Sequence, residues 1–429
     1  MSATRIASVH ARTVYDSRGR PTVEAEVRLV GGAIGRGIAP AGASRGRHEA
    51  VDLRDGEPVF GGYGVNRAVD NAKGPLARAI VGLDAADQAQ VDRALIAADG
   101  TSNKSRRGGN AIVALSLASL DAAARAAGLA TWAWLAQGRP VTLPMPEIQI
   151  FGGGAHAGRR VDIQDFMVVP IGAASFAQAL SMVAEVYRAA GELMAEAGKL
   201  AGVADEGGFW PMFATNEEAL DYLLRAIERA SLRPGEEVAV ALDVAASEFG
   251  REGRYRLGVE GRELETDGMI DLLADWLARY PIVSVEDPLA EDDADGLAEF
   301  TRRFGRRVQV VGDDYLVTNA ERVIRAARHG ACNAALIKVN QAGTVTEAHA
   351  ALDAARAVGW GAIVSARSGE TEDVAIVHLA TGWAVGQLKV GSFARSERMA
   401  KWNEGLRVEE ALGPNARLAG WPPAGIASD

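Results

Sequence analysis

The first part of the chain has the pattern of a small mixed unit of strands and helices. Residues 23–30 (VEAEVRLV) alternate partly between apolar and polar side chains and end at a Gly-Gly turn signal, which is typical of a strand. Residues 111–127 are rich in Ala and Leu, which predicts a closely packed helix. We therefore predict strands over residues 4–39 and helices over residues 64–136.

After residue 143 the pattern changes, and short apolar runs alternate with longer helical stretches. Six of these runs contain or end at a charged residue: Asp243, Glu286, Asp313, Lys338, Arg367 and Lys389. From the second of them onward, the spacing of 22 to 29 residues suits one strand plus one helix per unit. Short buried strands separated by helices form parallel sheets, and this many units favour a closed (β/α)8-type barrel over an open sheet. In such barrels, charged residues at the carboxyl ends of the strands form the active site.

Length and composition are consistent with two domains. A chain of 429 residues is too long for one ordinary compact core, and 48% hydrophobic with 24% charged residues is typical of a globular protein. We predict an α+β domain over residues 1–140 and a barrel domain over residues 141–429.

Charge and cysteine content argue against several classes of function. The formal net charge of −10 disfavours a nucleic-acid partner. The single cysteine, Cys332, rules out an internal disulfide and a cysteine-based zinc site. The first residues lack a hydrophobic signal core, and no apolar run approaches the roughly 20 residues needed to span a membrane. We therefore expect a cytoplasmic protein without a membrane partner.

The charged strand ends suggest a metal-assisted reaction on an anionic acid. Asp243, Glu286 and Asp313 offer oxygen ligands from three strands, which suits Mg²⁺ better than Zn²⁺. The three cations that follow would repel one another unless an anionic substrate or a metal-bound acid lay between them. Arg367 with Ser368 has the planar fork and the hydroxyl donor of a phosphate-binding pair.

These groups fit chemistry at a carbon next to a carboxylate. A divalent metal on the carboxylate oxygens stabilises the negative charge that follows loss of the C–H proton. A lysine near those cations has its ammonium form disfavoured, so it can act as the base near neutral pH. Glu206, beside two glycines in ADEGGFWP, is the candidate acid that protonates a departing hydroxide.

Several longer segments resemble one family. They are YDSRGRPTVEAEV, DGTSNKSRRGGNAI, DEGGF, VEDP, GDDYLVTN, LIKVNQAGTVTE, SARSGETED and LKVGSFARSERMAKWNE. Through these segments, which stand in the family's order, the chain resembles enolase over essentially its whole length. The resemblance implies an α/β fold, the enolase-type modified (β/α)8 TIM barrel with an N-terminal α+β capping domain. It also implies a hydro-lyase that converts a small 2-phosphoglycerate-like acid to an enolpyruvate phosphoester, with two Mg²⁺ per active site, as a homodimer or octamer.

The resemblance further implies which residues act at the site. The implied metal ligands are Asp243, Glu286 and Asp313 for a first Mg²⁺, and Ser44 for a second that arrives with the substrate. The implied proton-transfer residues are Lys338 as the base and Glu206 as the proton donor to the leaving hydroxyl. The residues expected around the substrate are His156, Gln164, Asp165, Arg367, Ser368, Lys389 and Arg45.

Departures from the family pattern fall around this implied substrate site. Ala366 stands where the family has His, Arg45 where it has Thr, and Asp165 where it has Glu. Ala366 opens volume beside the phosphate-binding pair, and Arg45 adds positive charge to the loop that closes over it. We therefore predict a substrate with a larger or more anionic group on phosphorus. Such a substrate is that of the carboxyphosphonoenolpyruvate synthase type of enolase homologue, which acts in phosphonate natural-product biosynthesis.

Three other functions remain open. Neutral drift in an ordinary glycolytic enolase, which converts 2-phosphoglycerate to phosphoenolpyruvate, would leave the same metal and proton-transfer residues. A non-catalytic enolase-like binding or structural protein is the second, although it would need neither Glu206 nor Lys338. A mandelate-racemase-like or muconate-cycloisomerase-like enzyme is the third, but GDDYLVTN and SARSGETED resemble enolase more closely.

Overall fold

The N-terminal part of the chain folds around a three-stranded antiparallel sheet. The computed structural model describes residues 2–43 and 46–426. The sheet has the order β1 (Ile6–Tyr15), β2 (Pro21–Leu29) and β3 (Ile34–Ile38). The strands predicted over residues 4–39 are therefore confirmed.

Helices cover this sheet, as predicted for residues 64–136. They are α1 (Asn66–Asn71), α2 (Ala77–Ile80), α3 (Gln88–Asp99), α4 (Gly109–Ala126) and α5 (Thr131–Ala136). The Ala-rich helix α4 packs directly on β2 and β3. A Cβ atom at Gly35 of β3 would lie 2.1 Å from the backbone nitrogen of Ala122, so this close packing requires glycine.

The larger part of the chain forms a closed eight-stranded barrel. It begins with β4 (Met145–Gly152), β5 (Asp165–Val169) and β6 (Ala239–Asp243), and continues after a small antiparallel sheet of β7 (Gly250–Arg251), β8 (Arg254–Leu257) and β9 (Arg262–Glu265). The remaining barrel strands are β10 (Ile282–Glu286), β11 (Gln309–Gly312), β12 (Ala334–Ile337), β13 (Gly361–Ser365) and β14 (Gln387–Ser392). Strand β5 is antiparallel to both neighbours, whereas the other adjacent pairs are parallel. The predicted α/β class and the modified (β/α)8 barrel are confirmed.

Helices alternate with the strands of the barrel, and several of them begin at a side-chain cap. They are α6 (Phe176–Glu196), α7 (Asn216–Arg229), α8 (Thr266–Arg279), α9 (Ala294–Phe304), α10 (Ala320–His329), α11 (Val339–Ala342), α12 (Val345–Ala357), α13 (Ala375–Gly382) and α14 (Ser396–Leu412). Five of them begin after a side chain that accepts a hydrogen bond from the backbone N–H three residues later, namely Ser175, Thr215, Asp293, Asn319 and Thr344. No helix in the described part of the chain combines the length and apolar character needed to cross a membrane.

Strand register places the charged strand ends at one edge of the barrel. Glu286 lies opposite Asp243 in the pair β10–β6, and Lys389 lies opposite Glu147 in the pair β14–β4. Because β5 runs in the reverse direction, its first residue, Asp165, lies opposite Asp243 at the same edge. The carboxyl ends of the parallel strands and the start of β5 therefore form one rim.

A buried carboxylate connects the N-terminal unit to the barrel. Asp92 of α3 accepts hydrogen bonds from the Ser116 hydroxyl at 2.7 Å and from the backbone N–H of Thr346 in α12 at 2.9 Å. These bonds fix the N-terminal unit against the barrel. The exact domain boundary, after residue 140, stays a prediction.

Candidate active site

The charged strand ends meet around Lys389, whose ammonium group lies among three carboxylates. Its Nζ lies 2.7 Å from Asp243 Oδ2, 2.9 Å from Glu286 Oε2 and 3.3 Å from Asp165 Oδ2. All four side chains are buried. Burial lowers the pKa of Lys389, but the carboxylates of Asp243 and Glu286 outweigh it and raise that pKa well above its usual range. Lys389 therefore stays charged and neutralises part of a buried acidic cluster.

Lys338 is held by a second buried carboxylate. Its ammonium group donates to Asp313 Oδ2, and Gln341 Nε2 donates to the other carboxylate oxygen at 2.8 Å. Burial lowers the pKa of Lys338, but the charge of Asp313 outweighs burial and raises it. Arg367 and Lys389 act in the opposite direction and lower this pKa, but the charge of Asp313 outweighs them. The neutral amine expected from the sequence therefore requires a positive charge that offsets Asp313, and it stays a prediction.

The three predicted metal-binding carboxylates supply a donor set that fits a hard cation. Asp243, Glu286 and Asp313 come from the adjacent strands β6, β10 and β11. Glu286 Oε1 is buried and has no hydrogen-bond partner among the described residues. Burial and then the charge of Asp243 raise the pKa of Glu286 well above its usual range. A divalent cation would offset both effects, because it would bring positive charge to an oxygen that no donor among the described residues reaches.

Two other clusters of possible metal ligands occur in the described ranges, 2–43 and 46–426. In each cluster, one ligand atom from every residue lies within 4.8 Å of the ligand atoms of the others. The clusters are His156 with Asp165 and Glu206, and Asp287 with Asp313 and Asp314. The predicted metal-binding set is not such a cluster, and lysine ammonium groups pair with its members instead. Acidic groups that can hold a metal are thus present at the rim in more than one arrangement.

His156 links the predicted proton donor to the predicted phosphate-binding pair. Its Nδ1 lies 3.1 Å from Asp165 Oδ1, and its Nε2 lies 3.0 Å from Ser368 Oγ and 3.8 Å from Glu206 Oε1. Burial lowers the pKa of His156, but the carboxylates of Glu206 and Asp165 outweigh it and raise that pKa. A protonated imidazole donates from both nitrogens, so one ring can bridge these groups.

Arg367 is fixed by residues that the sequence analysis did not single out. Its Nη1 lies 3.0 Å from Glu49 Oε2 and donates to Asn340 Oδ1 at 3.1 Å. The fully buried guanidinium of Arg398, in α14, donates to the backbone carbonyl oxygens of Arg367 and Ser368. Arg398 lies within LKVGSFARSERMAKWNE, one of the segments that resemble the family, whereas Glu49 lies in none of the segments quoted above.

The remaining predicted site residues divide into two groups. Gln164 lies at the rim, where its Nε2 donates to Asp243 Oδ2 at 3.0 Å. Ser44 and Arg45 lie outside the described residues. All the other predicted residues belong to one connected set of contacts at the rim.

A cleft rich in arginine opens beside this rim. It has a volume of about 600 Å³ and includes Gly154, which lies in the same turn as His156. Five arginines line it, together with one Asp and one Glu: Arg47, Arg159, Arg251, Arg254, Arg256, Asp162 and Glu248. The cleft therefore carries an excess of positive charge in a chain whose net charge is −10. No predicted site residue lies among these arginines, although the segment REGRYRL contributes three of them.

Comparisons with known proteins identify the family. Residues 140–424 match the family model for the enolase C-terminal TIM barrel domain, and residues 6–135 match the model for the enolase N-terminal domain. The chain belongs to the enolase family. It is similar to Enolase 1 of Desulfitobacterium hafniense (strain Y51), with 47% identity over 99% of this chain and 98% of the relative. It is also similar to Enolase of Rubrobacter xylanophilus (strain DSM 9941), with 49% identity over 97% of each chain. This enolase homologue is therefore an enzyme of the hydro-lyase type.

Glu147 is a buried carboxyl group at the site that the sequence analysis did not single out. It lies on β4, and its Oε1 has no hydrogen-bond partner among the described residues. Burial raises the pKa of Glu147 to about 7, with a further contribution from Asp243 that Lys389 opposes. The Glu147 carboxyl group is therefore protonated in weakly acidic solution. At higher pH it ionises while it is still buried, which costs stability.

Replacement of Glu147 by Gln should stabilise the protein above neutral pH. The folded state binds this proton more tightly than the unfolded state, so the stability it contributes is complete below the unfolded pKa of 4.5 and is lost as pH rises towards 7. The variant should gain up to about 3 kcal/mol in free energy of unfolding at pH 8, and less towards pH 5. Urea denaturation with a chelator at both pH values measures the gain. The same gain at pH 5 and pH 8 would contradict the raised pKa.

Proposed function

We propose that this enolase homologue removes water from 2-phosphoglycerate to form phosphoenolpyruvate. The placement of the two proton-transfer residues best supports this reaction. Lys338 directly follows β12. Glu206 lies near His156, and His156 contacts Asp165, the first residue of β5. In the barrel order, β12 and β5 are four strands apart, which is halfway around the ring. A base and an acid on opposite sides of the rim can act on two faces of a substrate between them.

The proposed reaction moves two protons. Lys338, as the neutral amine, takes the proton from C2 of the substrate, and the electron pair of that bond forms the new double bond. The C3–O bond breaks, and the hydroxyl leaves as water with the proton from the Glu206 carboxyl group. Asp313 is the carboxylate that most favours the Lys338 ammonium form. Neutralisation of the Asp313 charge would therefore ease formation of the neutral base.

We further propose that Asp243, Glu286 and Asp313 hold one Mg²⁺, and that Ser44 helps to hold a second. Magnesium prefers oxygen ligands of this kind. When bound, it would stabilise the negative charge that develops on the substrate carboxylate. The chain's own contribution is to keep the carboxylates close together, since Lys389 offsets their mutual repulsion.

Arg367 and Ser368 are the proposed phosphate ligands. The position of the Arg367 guanidinium is fixed, because it donates to Glu49 and because Arg398 donates to the backbone carbonyl oxygen of Arg367. A planar guanidinium and a hydroxyl group donate to phosphate oxygens in the geometry that phosphate requires. The arginine-rich cleft beside the rim favours the approach of an anionic substrate.

The carboxyphosphono specialisation predicted from the sequence is less well supported than the ordinary reaction. Both similar proteins are named enolase. Ala366 is buried in the main hydrophobic core, and its N–H donates to the Lys389 carbonyl oxygen at 2.9 Å. Because Ala366 still replaces an imidazole next to Arg367, the carboxyphosphono analogue stays the second candidate substrate. A non-catalytic role has no comparable support, since Lys338 and Glu206 both lie at the rim.

Assembly into a homodimer or an octamer is also a proposal. The resemblance to enolase implies that this chain forms a homo-oligomer. Sedimentation velocity of the full chain distinguishes monomer, dimer and octamer.

Chelation should abolish activity, and added Mg²⁺ should restore it. Asp313→Ala should strongly weaken Mg²⁺ binding, because a charged ligand is lost. Asp271→Ala, which removes an exposed carboxylate on α8, is the matched control and should bind Mg²⁺ as the wild type does. Titration calorimetry with Mg²⁺ and turnover assays measure both effects. Full activity in excess chelator would refute the proposed metal dependence.

The two proton-transfer residues should separate into two kinetic steps. Lys338→Ala should stop exchange of the C2 hydrogen with deuterium from solvent, whereas Glu206→Gln should permit exchange but slow loss of water by about 10²–10⁴-fold. Lys73→Ala, which removes an exposed lysine of the N-terminal unit, serves as the control. Proton NMR of 2-phosphoglycerate in D₂O follows both steps. Exchange at the wild-type rate in Lys338→Ala would show that the base is misassigned.

Kinetics of the wild type and of a variant at residues 45 and 366 test the choice between the two candidate substrates. If the ordinary reaction is native, the wild type should turn over 2-phosphoglycerate at about 1–10³ s⁻¹ and should not prefer the carboxyphosphono analogue. The double variant Ala366→His with Arg45→Thr should then keep this preference. Measured kcat/KM values for both substrates decide between them. A wild type that prefers the analogue, with a preference that the double variant reverses, would favour the second candidate.

A further inference from the structure

Gln149 is a buried side chain of β4 that uses both ends of its amide at the active site. Its Oε1 accepts from the backbone N–H of Gly208 at 2.8 Å, and its Nε2 donates to Asp165 Oδ1. Gly208 lies two residues after Glu206, and Asp165 contacts His156. We propose that Gln149 is a positioning residue that fixes the segment bearing the proton donor relative to the imidazole. This inference rests on the proposed role of Glu206.

The backbone of the Glu206 segment is fixed on two sides. The carbonyl oxygen of Glu206 accepts from the N–H of Ser392 in β14 at 2.9 Å. Gln149 holds the segment from β4, and a Cβ atom at Gly208 would lie only 2.4 Å from its Oε1. The amide can approach the backbone this closely because residue 208 is glycine. Loss of the bond would leave a buried N–H group without its acceptor, which favours a shift of the segment.

The other end of the amide acts on the carboxylate of Asp165. Asp165 stands where the family pattern has the longer Glu, so its carboxylate extends less far from β5. The long side chain of Gln149 meets it, and His156 Nδ1 contacts the same oxygen. Two partners on one oxygen fix the orientation of the carboxylate, which in turn fixes the imidazole nitrogen that faces Ser368. Gln149 therefore acts through its contacts with Asp165 and Gly208 and is not proposed to touch the reacting atoms.

Two buried glutamines at another place in the barrel, Gln309 and Gln387, provide a matched control for Gln149. Gln309 and Gln387 are the first residues of β11 and β14, and their amides exchange hydrogen bonds of 3.0 and 3.2 Å. They lie at the strand ends opposite to the rim. Loss of either amide leaves a buried polar group unpaired without removing an active-site contact.

Kinetics of Gln149→Met and Gln309→Met test the positioning role, since Met keeps the side-chain length and removes both amide groups. In Gln149→Met, loss of water from 2-phosphoglycerate should slow by about tenfold or more, as expected for a lost buried hydrogen bond. Exchange of the C2 hydrogen, which depends on Lys338, should stay near the wild-type rate. Gln309→Met should keep the wild-type ratio of the two rates. Equal slowing of both steps in Gln149→Met, or no slowing, would overturn the proposal.

A measurement without substrate separates this inference from the proposed reaction. The chain has six histidines, so the ring signals of ¹⁵N-labelled histidine can be assigned to His156 with a His156→Gln variant. Gln149→Met should shift these signals, whereas Gln309→Met should not. Unchanged His156 signals in Gln149→Met would overturn the inference. A wild type that is inactive on 2-phosphoglycerate would refute the proposed function alone.

An exchange of one methylene between the partners tests the match in side-chain length. Asp165→Glu alone should slow loss of water, because the extra methylene crowds the Gln149 amide. The double variant D165E/Q149N conserves the summed length and should recover part of the lost rate. A double variant no faster than Asp165→Glu would contradict the match. The Asn variant also keeps the proposal testable if Gln149→Met does not fold.

Discussion

Burial of opposite charges at one rim is the constraint on which the rest of the active site depends. Lys389, Lys338 and Arg367 would each be costly to bury alone, and so would the carboxylates around them. The fold places each cation against a carboxylate from another segment, and for Arg367 that carboxylate is Glu49 of the N-terminal part. Loss of one partner would upset the charge balance of this buried cluster, so these residues constrain one another whatever reaction they perform.

Strand register and one reversed strand satisfy this constraint. Parallel strands bring Asp243 and Glu286 to the same height, where Lys389 pairs with both. The reversed strand β5 adds Asp165 at that rim, because its start lies where its neighbours end. In a uniformly parallel barrel, the first residue of this strand would lie at the opposite edge. The reversal thus brings a further carboxylate into the site, where it contacts His156 in the turn that follows β4.

Uncharged and backbone contacts then orient the charged groups. Gln149 joins Asp165 to the Glu206 segment, and Gln341 holds Asp313 from the side opposite Lys338. Arg398 orders the turn that carries Arg367 by donating to the backbone carbonyl oxygens of Arg367 and Ser368. Such supporting contacts limit the freedom of the groups that act on a substrate, which lowers the cost of reaching a productive geometry.

The sequence by itself determined the order of strands and helices, the closed barrel and the charged residues at the strand ends, because hydrophobic periodicity and strand-end position are local properties. Only the tertiary structure decided the partners. Lys389 and Asp243 lie 146 residues apart, and Arg367 and Glu49 lie 318 apart, so no local pattern pairs them. The direction in which the Lys338 pKa shifts depends on the tertiary structure for the same reason, because the shift depends on the contact with Asp313. Gln149 was missed because a glutamine within an apolar strand shows its role only when both of its partners are folded against it.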